Sequence, residues 1–141
     1  MVLGLAVAAH ADRKALEPYA GRIVYSPDTP PTSLGELPGF LKINATKDDR
    51  YDIIHGPPWP MHLVAVLAKA PGTRPVQLVF TAKDDATPAT LVTVDVKPRR
   101  RIVIATTTAT VAAGFASNAT YVVRVMQGKT ILARAEITLR N

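Results

Sequence analysis

The sequence predicts a mainly β protein: one sandwich of about 7 strands with a short helix near the N-terminus. Three observations lead there. First, the C-terminal quarter alternates. Tyr121, Val123 and Val125 interleave with Val122, Arg124 and Met126. After a Gln127-Gly128-Lys129 turn, Ile131, Ala133, Ala135, Ile137 and Leu139 interleave with Leu132, Arg134, Glu136, Thr138 and Arg140. A period of two is the signature of a strand with one buried face, so the first set of each strand is expected inside. Second, 12 Pro and 8 Gly punctuate the chain, as turns between many short strands require. Third, 48% of residues are hydrophobic but only 6% aromatic. The core must therefore be built from Val, Ile, Leu and Ala, and the β-branched ones favour pleated surfaces.

The elements follow in order. Met1 to Ala9 is uncharged and apolar, Ala9-His10-Ala11 has the small-x-small form of a cleavage site, and Asp12-Arg13-Lys14 is charged. Residues 1–11 read either as the remnant of a signal peptide whose basic start lies upstream or as a buried strand or short helix; the first reading is favoured and predicts export to the periplasm or beyond. The run is shorter than the ~20 residues a membrane span needs. With no second such segment and no lipobox cysteine, neither a transmembrane segment nor a lipid anchor is expected. Residues 12–50 form an extension expected to pack on the sandwich. Within it, Gly21–Ser26 is a strand stopped by Pro27, and Asp28–Thr32 is a stiff connector. A helix is expected over Leu34–Asn44. Ser33 and Glu36 have capping-box spacing, and Leu34, Leu37 and Leu41 share a face beside Phe40. Residues 51–141 supply the sandwich, with strands at Tyr51–Ile54, Met61–Ala70, Val76–Lys83, Thr90–Val96, Arg101–Val111 and the two final ones. Thr106, Thr107 and Thr108 mark the Arg101–Val111 strand as a partly exposed edge.

Phe115 stands six residues before Tyr121, in Gly114-Phe115-Ala116-Ser117-Asn118-Ala119-Thr120-Tyr121. The stretch resembles the tyrosine corner of immunoglobulin-like and fibronectin type III-like domains. There a Tyr near the start of a late strand bonds back to an upstream backbone group. Ser117-Asn118 replaces the usual Pro-Gly, and Asn tolerates the positive φ such a turn needs. The resemblance covers about residues 60 to 141 and implies an Ig-like architecture, with Phe115 and Tyr121 as structural residues. It implies no activity, because such folds host many. The missing cysteine pair excludes an antibody-type domain. Trp59, placed before its strand, is not equated with the buried tryptophan of those domains.

Function is less legible. The net charge of +6 suits anionic partners. The one tight cluster is Lys97, Arg99, Arg100 and Arg101 around Pro98, and no aromatic interleaves it, so nucleic acid is not expected. The absence of cysteine excludes disulfides, thiol catalysis and Cys-based zinc sites. No His-Glu-x-x-His, Gly-x-Ser-x-Gly or phosphate-loop pattern occurs, so neither an enzyme nor a cofactor is expected. Asp48-Asp49 and Asp84-Asp85 sit in polar turns and read as solvated. Asn44-Ala45-Thr46 and Asn118-Ala119-Thr120 fit the glycosylation pattern, which arises often by chance.

The best surface candidate is the loop from Gly56 to Met61. Pro57, Pro58 and Pro60 hold it extended around Trp59. With Pro58, His55 and His62 it could stack a sugar or anchor a protein. The opposing reading is favoured: a lone Trp in an aromatic-poor domain caps the sandwich or packs on the Leu37/Leu41 helix. Cleavage after Ala9 would expose His10 as an N-terminal copper ligand with His55 or His62, but cleavage after Ala11 fits the pattern better and removes it. The expected role is a non-catalytic exported domain acting through protein or cell-envelope contacts. The alternative is a small-ligand binder, with carbohydrate at Trp59 or copper at the histidines.

Overall fold

The computed structural model describes residues 14–83 and 90–141. The 1–11 segment with His10, and the Asp84-Asp85 pair, lie outside the described residues. The protein is mainly β. Among the described residues, eight strands form one nearly closed, barrel-like sheet, with one short helix. The strands are β1 (Arg22–Ser26), β2 (Arg50–Ile54), β3 (Trp59–Val66), β4 (Val76–Ala82), β5 (Thr90–Val96), β6 (Ile102–Ala109), β7 (Thr120–Gln127) and β8 (Thr130–Arg140), and the helix α1 is Leu37–Asn44. Short 3-10 turns lie at Glu17–Tyr19 and Val111–Ala113.

The sheet order is β5-β4-β7-β8-β1-β3-β6, with β2 also pairing β8. Along that path β1 meets β8 at one residue pair, Arg22 with Arg134. β2 runs parallel to the end of β8, from Arg50–Glu136 to Ile54–Arg140. Sequence proximity gave no hint of either parallel contact, and the strand expected at Gly21–Ser26 joins the seven expected over 51–141 in the same sheet, as β1.

Two starts and one facing differ from expectation for physical reasons. The helix begins at Leu37, not Leu34. Pro38 has no N–H to return to residue 34, so it must sit in the first turn. Ser33 and Glu36 make a turn instead (Glu36 N–H to Ser33 O, 3.2 Å), and no side-chain cap forms at Glu36. Trp59 is the first residue of β3, paired with Ala109, and does not precede the strand. Pro60 is tolerated there because β1 reaches only as far as His62 along that edge of β3. Finally, Ile131 is 50% exposed and Leu132 is buried. Pairing passes from Val125–Ala133 to Met126–Ile131, leaving Leu132 as an extra residue. Such a bulge reverses which side chains face inward.

The core is aliphatic, as the composition required. Ile23, Leu37, Leu41, Ile53, Leu78, Leu132, Ile137 and Leu139 are all buried, with Trp59, Phe80, Phe115 and Tyr121 among them. The Phe115 and Tyr121 rings meet edge-on at 4.8 Å, and Phe80 meets Phe115 at 5.8 Å. The Tyr121 hydroxyl accepts from the Ala116 N–H at 2.8 Å. Asn118 takes φ 62°, as the turn demands. Gly114 is required: its φ is 107°, and a Cβ there would stand 2.9 Å from Leu91 Cδ2.

Candidate functional site

The residues singled out in the sequence do not form one site. His55, Pro58 and Trp59 lie beside the end of β8, while His62 faces β6 and the basic run caps the β5–β6 connection.

The Trp59 loop is a clamp. Its indole is wholly buried, and Nε1 donates to Arg140 O at 3.0 Å. That carbonyl also accepts the N–H groups of His55 and Gly56, each at 3.1 Å. The loop thus grips the end of β8. Stacking on a sugar needs an open ring face, and Trp59 has none. Pro58 and His55 are exposed at the loop surface, and His55 Nδ1 lies 3.0 Å from Gly56 O. His62 Nδ1 lies 2.9 Å from Thr106 Oγ1, across the β3–β6 pair. Among the described residues no three His, Cys, Asp or Glu side chains gather as metal ligands would.

The basic run divides. Arg101 is occupied structurally: it donates to Leu67 O at 2.9 Å and Ala68 O at 3.1 Å, and pairs with Glu17 at 3.5 Å. Arg99 N–H and O exchange hydrogen bonds with Ile102 at 2.7 and 3.0 Å, so Arg100 sits at the tip of a tight turn with φ 59°. Lys97, Arg99 and Arg100 remain exposed, and Arg99 Nη1 reaches Thr32 O at 3.4 Å.

A second charged group was not legible in the sequence. Glu136 is buried at 7% exposure on β8. Lys83 Nζ stands 2.6 Å from Oε1, and Arg50 and Arg134 stand 3.6 and 3.8 Å from Oε2. The Lys83 hydrogen bond holds the Glu136 carboxyl below its usual range, aided by the Lys83, Arg134 and Arg50 charges and opposed by burial. Periodicity places Glu136 on the solvent face. Only the strand register brings Arg50 from β2 and Arg134 beside it, and Lys83 joins from just beyond β4.

The edge of β6 is the other feature. Its register with β3 is unbroken from Ile102–Val66 to Ala109–Trp59. Leu67 N–H donates to Arg101 O at 2.7 Å. Antiparallel bonding alternates, so Val103, Ala105, Thr107 and Ala109 turn their main chain to β3, and Ile102, Ile104, Thr106 and Thr108 turn theirs outward. Ile102 is taken by Arg99, and beyond the strand Thr110 O accepts from Ala113 and Phe115, each at 3.2 Å. Between these stops, Ile104, Thr106 and Thr108 meet no other described strand. The strand, Ile-Val-Ile-Ala-Thr-Thr-Thr-Ala, carries no charge and no proline, two of the devices that protect natural edges. Beside it, Met61, Phe80, Val92, Thr107, Thr108, Ala109 and Phe115 line a dimple of about 10 Å³, room for roughly one water.

No family model matches this chain, and no curated protein matches it.

Proposed function

We propose that the protein is a non-catalytic, exported domain of immunoglobulin-like sandwich type that works by protein or cell-envelope contact. The sandwich reading groups β1, β3 and β6 as one sheet and β5, β4, β7, β8 and β2 as the other. What supports it is the single-pair link between β1 and β8 and the Tyr121–Ala116 hydrogen bond, the tyrosine-corner contact. Export is supported by the Ala9-His10-Ala11 pattern, and mass spectrometry of the native product tests it: a mature chain starting at Asp12 is expected, and retention of residues 1–11 in the cytoplasm would sink it.

One observation carries the contact role. The β6 edge offers main-chain groups at Ile104, Thr106 and Thr108 that pair with no other strand among the described residues, with neither charge nor proline to repel one. Main-chain pairing of this kind is a general mode of protein recognition. A photo-crosslinking side chain placed at Thr108 in the native host should yield a protein adduct, whereas the same probe at exposed Lys69 should not. Equal labelling at both positions, or none at Thr108, would refute the reading.

A further inference from the structure

We infer that the end of the molecule built from the β3–β4, β5–β6 and β7–β8 connections is a docking pad for an anionic lipid surface. The registers bring these three tips to one end of the sheet. Val66 lies beside Ile102, Val76 beside Val96, Gln77 beside Met126, and Gln127 beside Thr130. The tips are residues 67–75, 97–101 and 128–129. Together they hold seven of the 17 Lys and Arg residues and none of the 11 Asp and Glu. Among the described residues, the one ion pair they make is Arg101 with Glu17. That leaves a surplus of six, equal to the formal net charge of +6 for the whole chain. The ten remaining Lys and Arg are balanced by the ten carboxylates other than Glu17. The net charge is therefore not spread over the surface but gathered at one end. At the opposite end, the β6–β7 connection (residues 110–119) carries no charge at all.

The tips are laced together by side chains. Arg101 donates to Leu67 O and Ala68 O at 2.9 and 3.1 Å. Gln127 donates to Arg74 O at 3.0 Å and also to Pro71 O. The 67–75 tip is thus tied to both neighbours, and Lys69, Arg74, Lys97, Arg99, Arg100 and Lys129 are exposed around it. Like charges held this close repel, and an opposing negative surface relieves the repulsion. Three observations favour a lipid plane over a linear polyanion. No tip residue is aromatic, so bases have nothing to stack on. The cations stand on three tips across one end of the sheet, whereas sites that track a polyanion backbone line a groove. Ile131, 50% exposed, stands two residues from Lys129. An apolar side chain among cations gains from the boundary between headgroups and acyl chains, which a hydrated polysaccharide does not offer. Six exposed cations also fall within the cluster size of about 4–8 that anionic headgroups recognise. The pad does not use the outward groups of β6, so either surface can fail without the other.

Co-sedimentation with vesicles tests the pad. At about 0.15 M salt, the protein should bind vesicles of phosphatidylglycerol and phosphatidylcholine in equal parts, but not vesicles of phosphatidylcholine alone. At about 1 M salt, where the screening length falls to about 3 Å, it should be released. Each cation near an anionic surface strengthens binding about fivefold, so Arg74→Gln with Lys129→Gln should weaken it roughly 25-fold. Lys42→Gln with Lys47→Gln removes the same charge from exposed positions outside the tips. It should weaken binding by less than about threefold, since charges beyond a screening length count little. Arg74→Lys with Lys129→Arg keeps the charge and should bind as the parent does, and thermal melts compare the folding of all three pairs. Equal losses from the two Gln pairs, or loss from the charge-keeping pair, would overturn the pad. The chain has no cysteine, so Ile131→Cys takes one environment-sensitive dye. Its emission should shift to the blue on the mixed vesicles. A dye on Ile54→Cys, 71% exposed beside Arg140 at the far end of β8, should not shift. An unmoved dye at position 131 on bound protein would overturn the end-on orientation. Absence of sedimentation with the mixed vesicles, whether or not heparin or duplex DNA binds, would overturn the lipid occupant. The Thr108 photo-adduct reports on the β6 contact separately.

Discussion

At the scale of single residues, two side chains act as fasteners through one polar atom each. Tyr121 closes the turn before β7 because its hydroxyl accepts the Ala116 N–H at 2.8 Å, while its ring packs edge-on against Phe115. Tyr121→Phe keeps the packing and leaves that amide unpaired, so urea denaturation should show a loss of about 1–2 kcal/mol with an unchanged m-value. Trp59 does the same for β8, with its indole N–H on Arg140 O at 3.0 Å. Because the chain holds one Trp and it is wholly buried, its fluorescence should be blue-shifted, resist iodide quenching, and stay unmoved by a panel of sugars. A red, quenchable emission from the folded protein would contradict the clamp. Asn118 and Phe115 were recognisable in advance, because positive φ and aromatic spacing are local properties. The clamp role of Trp59 was not, because Arg140 lies 81 residues away.

At the scale of elements, periodicity located strands well and boundaries less well. β4, β5 and β7 lie where alternation put them. The inward face of β8 was misassigned near its start, since the bulge at Leu132 is a property of the pair and not of either strand. α1 began late because one missing N–H at Pro38 outweighs a favourable capping pattern. The edge character of β6 was announced by its threonines, but which amides are free depended on the register with β3. That register makes a direct prediction. In hydrogen exchange at low concentration, the amides of Val103, Ala105 and Thr107 should be protected, and those of Ile104, Thr106 and Thr108 should exchange at least tenfold faster. Uniform protection along β6 in the dilute protein would mean that another segment already covers the edge.

At the scale of the whole molecule, the Glu136 group ties β2, β8 and the residue after β4 together through one carboxylate. Its folded pKa lies below its ordinary value, so its contribution is complete above about pH 4.3, the unfolded value, and is lost as pH falls through the lower folded value. Glu136→Gln should therefore be less stable at pH 7 by about 1 kcal/mol, a figure kept small because its three cationic partners are part-exposed. As pH falls through the lower folded value, the variant and the parent should converge. Denaturation at a series of pH values checks this, and a constant difference down to pH 2 would deny the ionic origin. The sequence by itself determined the mainly β class, the aliphatic core, the punctuation by Pro and Gly, and the Phe115–Tyr121 turn. Each of these depends on period, composition or φ preference within a short window. Tertiary structure decided the parallel contacts of β1 and β2 with β8, the burial of Trp59, the split of the basic run and the place of β6 at one end of the sheet. These depend on which distant backbone groups meet, and a hydrogen bond across 80 residues leaves no trace in local pattern.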